Sequence, residues 1–283
     1  MASAAGLLSV QGAANRPPMV VACALNQQER ARVIDAFRGR AALRFIESFD
    51  ALLDGLRDEV SIVDVVILPA VDGRDGGANA ERVVRRLVVE RPRIAIIAYC
   101  APHGGYSSEI RALAAAGVHQ FVFAGVDDHG AMFRNILALA RQGCAAEWVM
   151  QQVGPIVPVQ LHRMVEAILT NPSRATTLLE LARALGVHRK TLFNWCDRVP
   201  FLPPAELLAW TRLALVAYHL ENTACTVETI ALELGYPSDT TLRNTIKRYT
   251  GLRANDVRRR GGLRCVLEAM QRRLDGDNCA VAH

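Results

Sequence analysis

Lysine is almost missing from this 283-residue chain: of 33 basic residues only Lys190 and Lys247 are lysines. Seven cysteines are scattered, at Cys23, Cys100, Cys144, Cys196, Cys225, Cys265 and Cys279, and no two form a C-x-x-C pair. That spacing argues against a zinc site and a disulfide framework, and predicts reduced, packed thiols. No apolar run approaches the roughly 20 residues of a membrane helix. The opening stretch MASAAGLLSVQGAANRPP lacks the basic start and apolar core of a secretory signal. A cytoplasmic protein with a disordered leader over 1–17 is therefore expected, with no membrane contact. The dinucleotide fingerprint G-x-G-x-x-G is absent after the first apolar strand, where the chain reads ALNQQER.

What is present is enough apolar material, 51% of residues, for more than one core. The charge is divided. Residues 1–150 balance 16 Arg against 16 acidic residues, whereas 151–283 hold 17 basic and 12 acidic residues, so the whole excess of +5 lies in the second half. Segment 174–264 alone carries 14 basic and 8 acidic residues. A neutral region joined to a basic one predicts a polyanionic partner for one end only.

In the first half, Val- and Ile-rich runs at 19–25, 42–46, 62–68, 94–99 and 119–124 alternate with helical stripes such as Val83, Val84, Leu87 and Val88. Continuous apolar runs of this length read as parallel strands buried on both faces. Five of them alternating with helices predict an α/β, doubly wound five-stranded parallel sheet over 18–143. The order and length resemble the CheY-like receiver domain of two-component signalling. That family places an acidic pair after strand one, an aspartate at the end of strand three, a Ser or Thr on strand four and a lysine on strand five. Here those places are taken by Leu25 and Asn26, Pro69, Ile97 and Ala124. Phosphoryl transfer needs carboxylates to hold Mg²⁺ and a cation for the phosphoryl oxygens. The resemblance is thus to a degenerate pseudo-receiver with no catalytic residues, cofactor or metal. Asp72 and Asp75 fall in a Gly-rich loop and read as turn residues; His103 to Gly105, Asp127 and Asp128 fall in loops at the carboxyl edge, where an effector would bind.

A joint over 144–157 ends in Gly154 and Pro155, with Pro158 beyond, and everything downstream reads as helical. Leu181, Ala182, Leu185, Gly186, Val187, Leu192 and Trp195 have helix-turn-helix spacing: Ala lets two helices approach, and Gly tolerates the turn's positive φ. Ile230, Ala231, Leu234, Gly235, Tyr236, Leu242 and Ile246 repeat it, with a turn one residue longer. Between the copies lies a long helix opened by Pro203 and Pro204. Two such units bridged by one helix resemble the DNA-binding domain of the AraC family over 158–262, with a basic helical tail at 263–283. One departure is Arg253-Ala254, where the family has Thr-Pro, so the last helix is expected to begin differently.

The resemblance places base-facing residues at Lys190, Phe193 and Asn194 of the first recognition helix and at Asp239, Thr240, Thr241, Arg243 and Asn244 of the second. Side-chain chemistry retains Lys190, Asn194, Thr240, Thr241, Arg243 and Asn244 as base readers. Phe193 is expected to pack against the bridging helix and Asp239 to cap the second recognition helix. Arg189, Arg198, Lys247 and Arg248 are expected to hold phosphates. The partners implied are double-stranded DNA, a second copy of the chain, and an effector or regulatory protein. The rival reading is a metabolite- or nucleotide-binding α/β enzyme fused to a helical protein-interaction domain.

Overall fold

Successive residues of each strand in the first half point to opposite faces, and here both faces are apolar. The computed structural model describes residues 17–58, 63–71, 78–101, 107–222 and 225–281. They divide into two units at Cys144 and Ala145. The leader expected over 1–17 falls outside the described residues except for Pro17, and so do Asp72, Asp75 and the His103 to Gly105 turn.

The first unit alternates β1 (Met19–Cys23), α1 (Gln27–Phe37), β2 (Ala42–Ile46), α2 (Phe49–Asp58), β3 (Val65–Pro69), α3 (Ala78–Glu90), β4 (Ala95–Cys100), α4 (Ser107–Ala116), β5 (Gln120–Phe123) and α5 (Gly130–Val153). All strand pairs are parallel, in the order β2-β1-β3-β4-β5. This is the flavodoxin-like order that receivers share, so the expected doubly wound sheet is present. Val20, Ala22, Val65, Ile67, Ile97 and Val122 face α1 and α5 through Val33, Phe37, Phe133 and Ile136. Their neighbours Val21, Cys23, Val66, Leu68, Ile96 and Ala98 face Leu52, Val83, Leu87 and Leu113 on α2, α3 and α4. Period-two alternation between two oily faces explains the unbroken Val and Ile runs.

His119 precedes β5, and its Nδ1 accepts the Ile96 amide at 3.0 Å while its own amide donates to the Ile96 carbonyl. Burial pushes the imidazole down to about 4. The folded value thus lies below the unfolded one near 6.5, so the unfolded chain takes up the proton first. Its stabilising contribution is complete above pH 6.5 and is lost as the pH falls toward 4. Thermal unfolding followed by circular dichroism should show a midpoint falling across that window, with the His119→Gln variant showing a smaller fall. Equal slopes in both proteins would refute this.

The second unit continues through a 3-10 turn (Val159–Leu161), α6 (His162–Thr170), α7 (Leu178–Ala184), α8 (Arg189–Cys196), α9 (Pro204–Asn222), α10 (Val227–Glu233), α11 (Asp239–Thr250), α12 (Ala254–Arg259) and α13 (Gly262–Val281). Trp210 to Tyr218 of α9 are buried without a break, as befits a helix enclosed on all sides. Two expectations change here. Residues 144–157, read as a joint, are helical to Val153, and Ala145, Val149, Val153 and Val157 are buried in the helical core. The basic stretch at 263–283 is the helix α13, whose Leu263, Val266, Ala269 and Met270 belong to that same core while its arginines at 264 and 272 are exposed. Apolar residues at three- and four-residue spacing make both segments structural. The helix α12 begins at Ala254, with Arg253 at its N-cap and no side-chain cap.

Candidate nucleic-acid interface

Each recognition helix is fixed by caps at its start and a small apolar face along its length. On α7, Thr177 and Glu180 form a reciprocal capping box. The α8 helix is capped by His188, whose Nδ1 accepts the Lys190 amide at 3.2 Å. Its Leu192 and Cys196 are buried, so Arg189, Lys190, Phe193 and Asn194 lie on the exposed side. These positions, at spacings of one, four and five, form one stripe at the helix's amino-terminal end. Two cations in a first turn oppose the positive end of the helix dipole, an arrangement relieved when an anion arrives.

The second recognition helix repeats the plan. Ser238 caps α11 by accepting the Thr241 amide at 3.1 Å, and Leu242, Ile246 and Thr250 are buried. Thr240, Thr241, Arg243, Asn244, Lys247 and Arg248 are all exposed. The sequence expectation for Asp239 is corrected: it is the first helical residue, not the cap, and it pairs with Arg243 at 3.2 Å. The Arg243 hydrogen bond holds the Asp239 carboxyl below its usual range. Arg243 must therefore exchange this partner to reach a base. Phe193 is 37% exposed, with the Arg189 guanidinium 5.7 Å from its ring centre. Arg198 is exposed beyond the end of α8.

What couples the two motifs is Arg212, on the bridging helix α9 and only 6% exposed. Its guanidinium donates to the Pro172 and Ala175 carbonyls before α7 and, at 2.8 Å, to the Leu234 carbonyl at the end of α10. It also lies 4.6 Å over the Tyr236 ring. The three-carbonyl role of Arg212 has no local signature in the sequence.

At the carboxyl edge of the first unit the register fixes which residues face one another. Pro69 lies opposite Tyr99, whereas Ile97 pairs with Ile67 two residues further inside the sheet. Tyr99 Oη donates to the buried Asp128, which also accepts the Gly125 amide at 2.9 Å. Asp127 accepts the Phe123 amide. Asn26 caps α1 in a capping box with Glu29. The acidic residues near this edge thus hold turns and helix starts.

Among the described residues no cluster of His, Cys, Asp and Glu has the geometry to hold a metal ion, and no helix is long and apolar enough to cross a membrane. Residues 181–260 match the family model of a helix-turn-helix domain. Over 115 residues the chain is 30% identical to proteins of Streptomyces lividans and Streptomyces antibioticus assigned as AraC-like transcription regulators. That alignment covers 40% of this chain and 36% of each relative, so the chain spans about a third of their length. Among solved structures, full-length FixJ from B. japonicum is 12% identical, with a TM-score of 0.40 over 84% of this chain and 100% of that one. The two-component response regulator RcsB in its DNA complex is 11% identical, with a TM-score of 0.37 over 82% and 98%.

Proposed function

We propose that the second unit is an AraC-type DNA-binding domain and the chain a sequence-specific transcription regulator; the helix-turn-helix match over 181–260 and the likeness to AraC-like relatives support this. The observation that carries this reading is the pair of capped helices, α8 and α11, each turning a polar, cationic stripe outward from a shared core. In this reading Lys190, Asn194, Thr240, Thr241, Arg243 and Asn244 read base edges in adjacent major-groove segments, and Arg189, Arg198, Lys247 and Arg248 hold phosphates. Two different helices on one chain make the preferred site non-palindromic. The protein acts in the cytoplasm, where its DNA is.

The first unit serves this regulator without aspartyl phosphorylation, as a self-association or effector- and partner-sensing module. What supports this is the edge itself: by the resemblance, Pro69, Ile97 and Ala124 stand where receivers hold an aspartate, a Ser or Thr and a lysine. Incubation with Mg²⁺ and a small phosphodonor should leave no labile adduct. An adduct abolished by Asp72→Ala would overturn the proposal.

Binding to a randomised duplex library tests the DNA assignment. Asn194→Ala or Arg243→Ala should cost about 1–3 kcal/mol at particular base pairs and relax preference there. Lys247→Ala should weaken all sequences alike and flatten the slope of log K against log salt by about 0.9. The same uniform loss for Asn194→Ala and Lys247→Ala would refute the division of roles.

A further inference from the structure

Where α9, α11 and α13 meet, five side chains line a cleft of about 250 Å³: Glu206 and Trp210 of α9, Arg248 and Tyr249 of α11, and Arg273 of α13. One wall is aromatic. Trp210, 2% exposed, meets Tyr249 edge to face, with ring centres 5.1 Å apart. The other groups are charged. Arg273 pairs with Glu206 at 3.0 Å, whereas Arg248 makes no ion pair among the described residues; its guanidinium lies 5.8 Å from the Tyr249 ring centre. A guanidinium stacked on a ring keeps its N–H edge for an oxyanion, which it can grip with two parallel hydrogen bonds. The indole N–H of the lining residue Trp210 is buried and bonded to no other group of the protein, a further unspent donor.

Arg248 thus places a positive charge beside the Tyr249 ring. The volume is a little under the about 300 Å³ at which pockets for drug-sized ligands begin. That combination suits a small organic acid better than a cofactor. The cleft also depends on α13, which lies beyond the 181–260 span matched by the helix-turn-helix family model.

We propose that this cleft is an oxyanion site, in which Arg248 and Arg273 hold the carboxylate or phosphate group of a small organic acid and Trp210 and Tyr249 pack against its carbon body. A DNA backbone phosphate offers the same chemistry, and that source of the anion rests on the proposed function above. Because Arg248 stands beside Lys247 on the outward side of α11, a free anion in the cleft and a DNA phosphate draw on the same guanidinium. By linkage each then weakens the other's binding.

The test uses the full chain and two probes, inorganic phosphate and phenylphosphate, titrated by calorimetry without DNA. Saturable one-to-one binding is expected, tighter for phenylphosphate. It should weaken about ten- to a hundredfold in Arg248→Gln and in Arg273→Gln, as loss of a charged hydrogen bond implies, while the exposed Arg183→Gln on α7 changes nothing. Unchanged circular dichroism shows that the variants are folded, and Arg248, being exposed, is the safer of the two. If neither probe binds but Arg273→Gln, a change off both recognition helices, flattens the salt dependence of DNA binding by about 0.9, the anion is a DNA phosphate and the site stands. If the chain binds no duplex at all, the proposed function fails and the calorimetry still decides the cleft. Absence of both effects, or probe binding undiminished in both variants, overturns the proposal.

Discussion

Replacing Arg212 with methionine is expected to cost the second unit about 3–5 kcal/mol, the scale of a broken buried charged network. The methionine fills much of the space but donates nothing. Three carbonyls, of Pro172, Ala175 and Leu234, then stay buried without their donor, each at a penalty of about 1–3 kcal/mol before relaxation. The packing over Tyr236 is lost as well. Readout is simple because all three tryptophans, Trp148, Trp195 and Trp210, lie in this unit. Denaturant unfolding followed by tryptophan fluorescence therefore reports the second unit alone. A loss below about 1 kcal/mol would mean that the carbonyls find other donors, and the coupling role assigned to Arg212 would be wrong.

The two turn glycines should respond unequally to the same substitution. Both occupy the left-handed region, Gly186 at φ +65° and Gly235 at φ +70°, so alanine pays a conformational cost of about 1–2 kcal/mol at either. Around Gly186 there is open space for a methyl group. At Gly235 the new Cβ would stand 2.9 Å from Ser173 Cα and 3.0 Å from the Ser173 carbonyl oxygen. Those are backbone atoms of the segment before α7 and cannot swing aside, which adds about 1–3 kcal/mol of overpacking. Gly235→Ala should therefore lose about 2–5 kcal/mol by the same fluorescence assay, and Gly186→Ala about 1–2. Equal losses would show that the approach to Ser173 is not tight.

The strands and the doubled helix-turn-helix were legible because each rests on a local period: unbroken Val and Ile runs for buried strands, and the Leu-Ala-x-x-Leu-Gly spacing for the motif. Register was not. A strand buried on both faces has no polar alternation to mark its register, so the pairing of Pro69 with Tyr99 is visible only in the structure. In the segments read as joint and tail, conspicuous Gly, Pro and Arg outweighed a quieter signal. Ala145, Val149 and Val153 at four-residue spacing, and Leu263, Val266 and Met270 further on, carried the helical stripe throughout. Asp239 was misread because Ser238, one residue earlier, is an equally good cap and reaches the Thr241 amide. Arg212 and the five-residue cleft had no signal at all, since both are made by residues far apart in the chain.

The approach of Gly235 to Ser173 also limits how this protein can be recombined. Repeated motifs invite exchange, and the stretch from Thr226 to Gly251 resembles a cassette that could be traded for one with another sequence preference. It is not self-contained: its turn is moulded against the loop before α7, and its first helix ends on a side chain from α9. A donor cassette with a bulkier turn, or a recipient with a different loop at 172–176, would yield chimeras that misfold before their specificity could be assayed. Successful grafts should carry the turn, that loop and the arginine of the bridging helix together, or should alter only the outward-facing residues of α11.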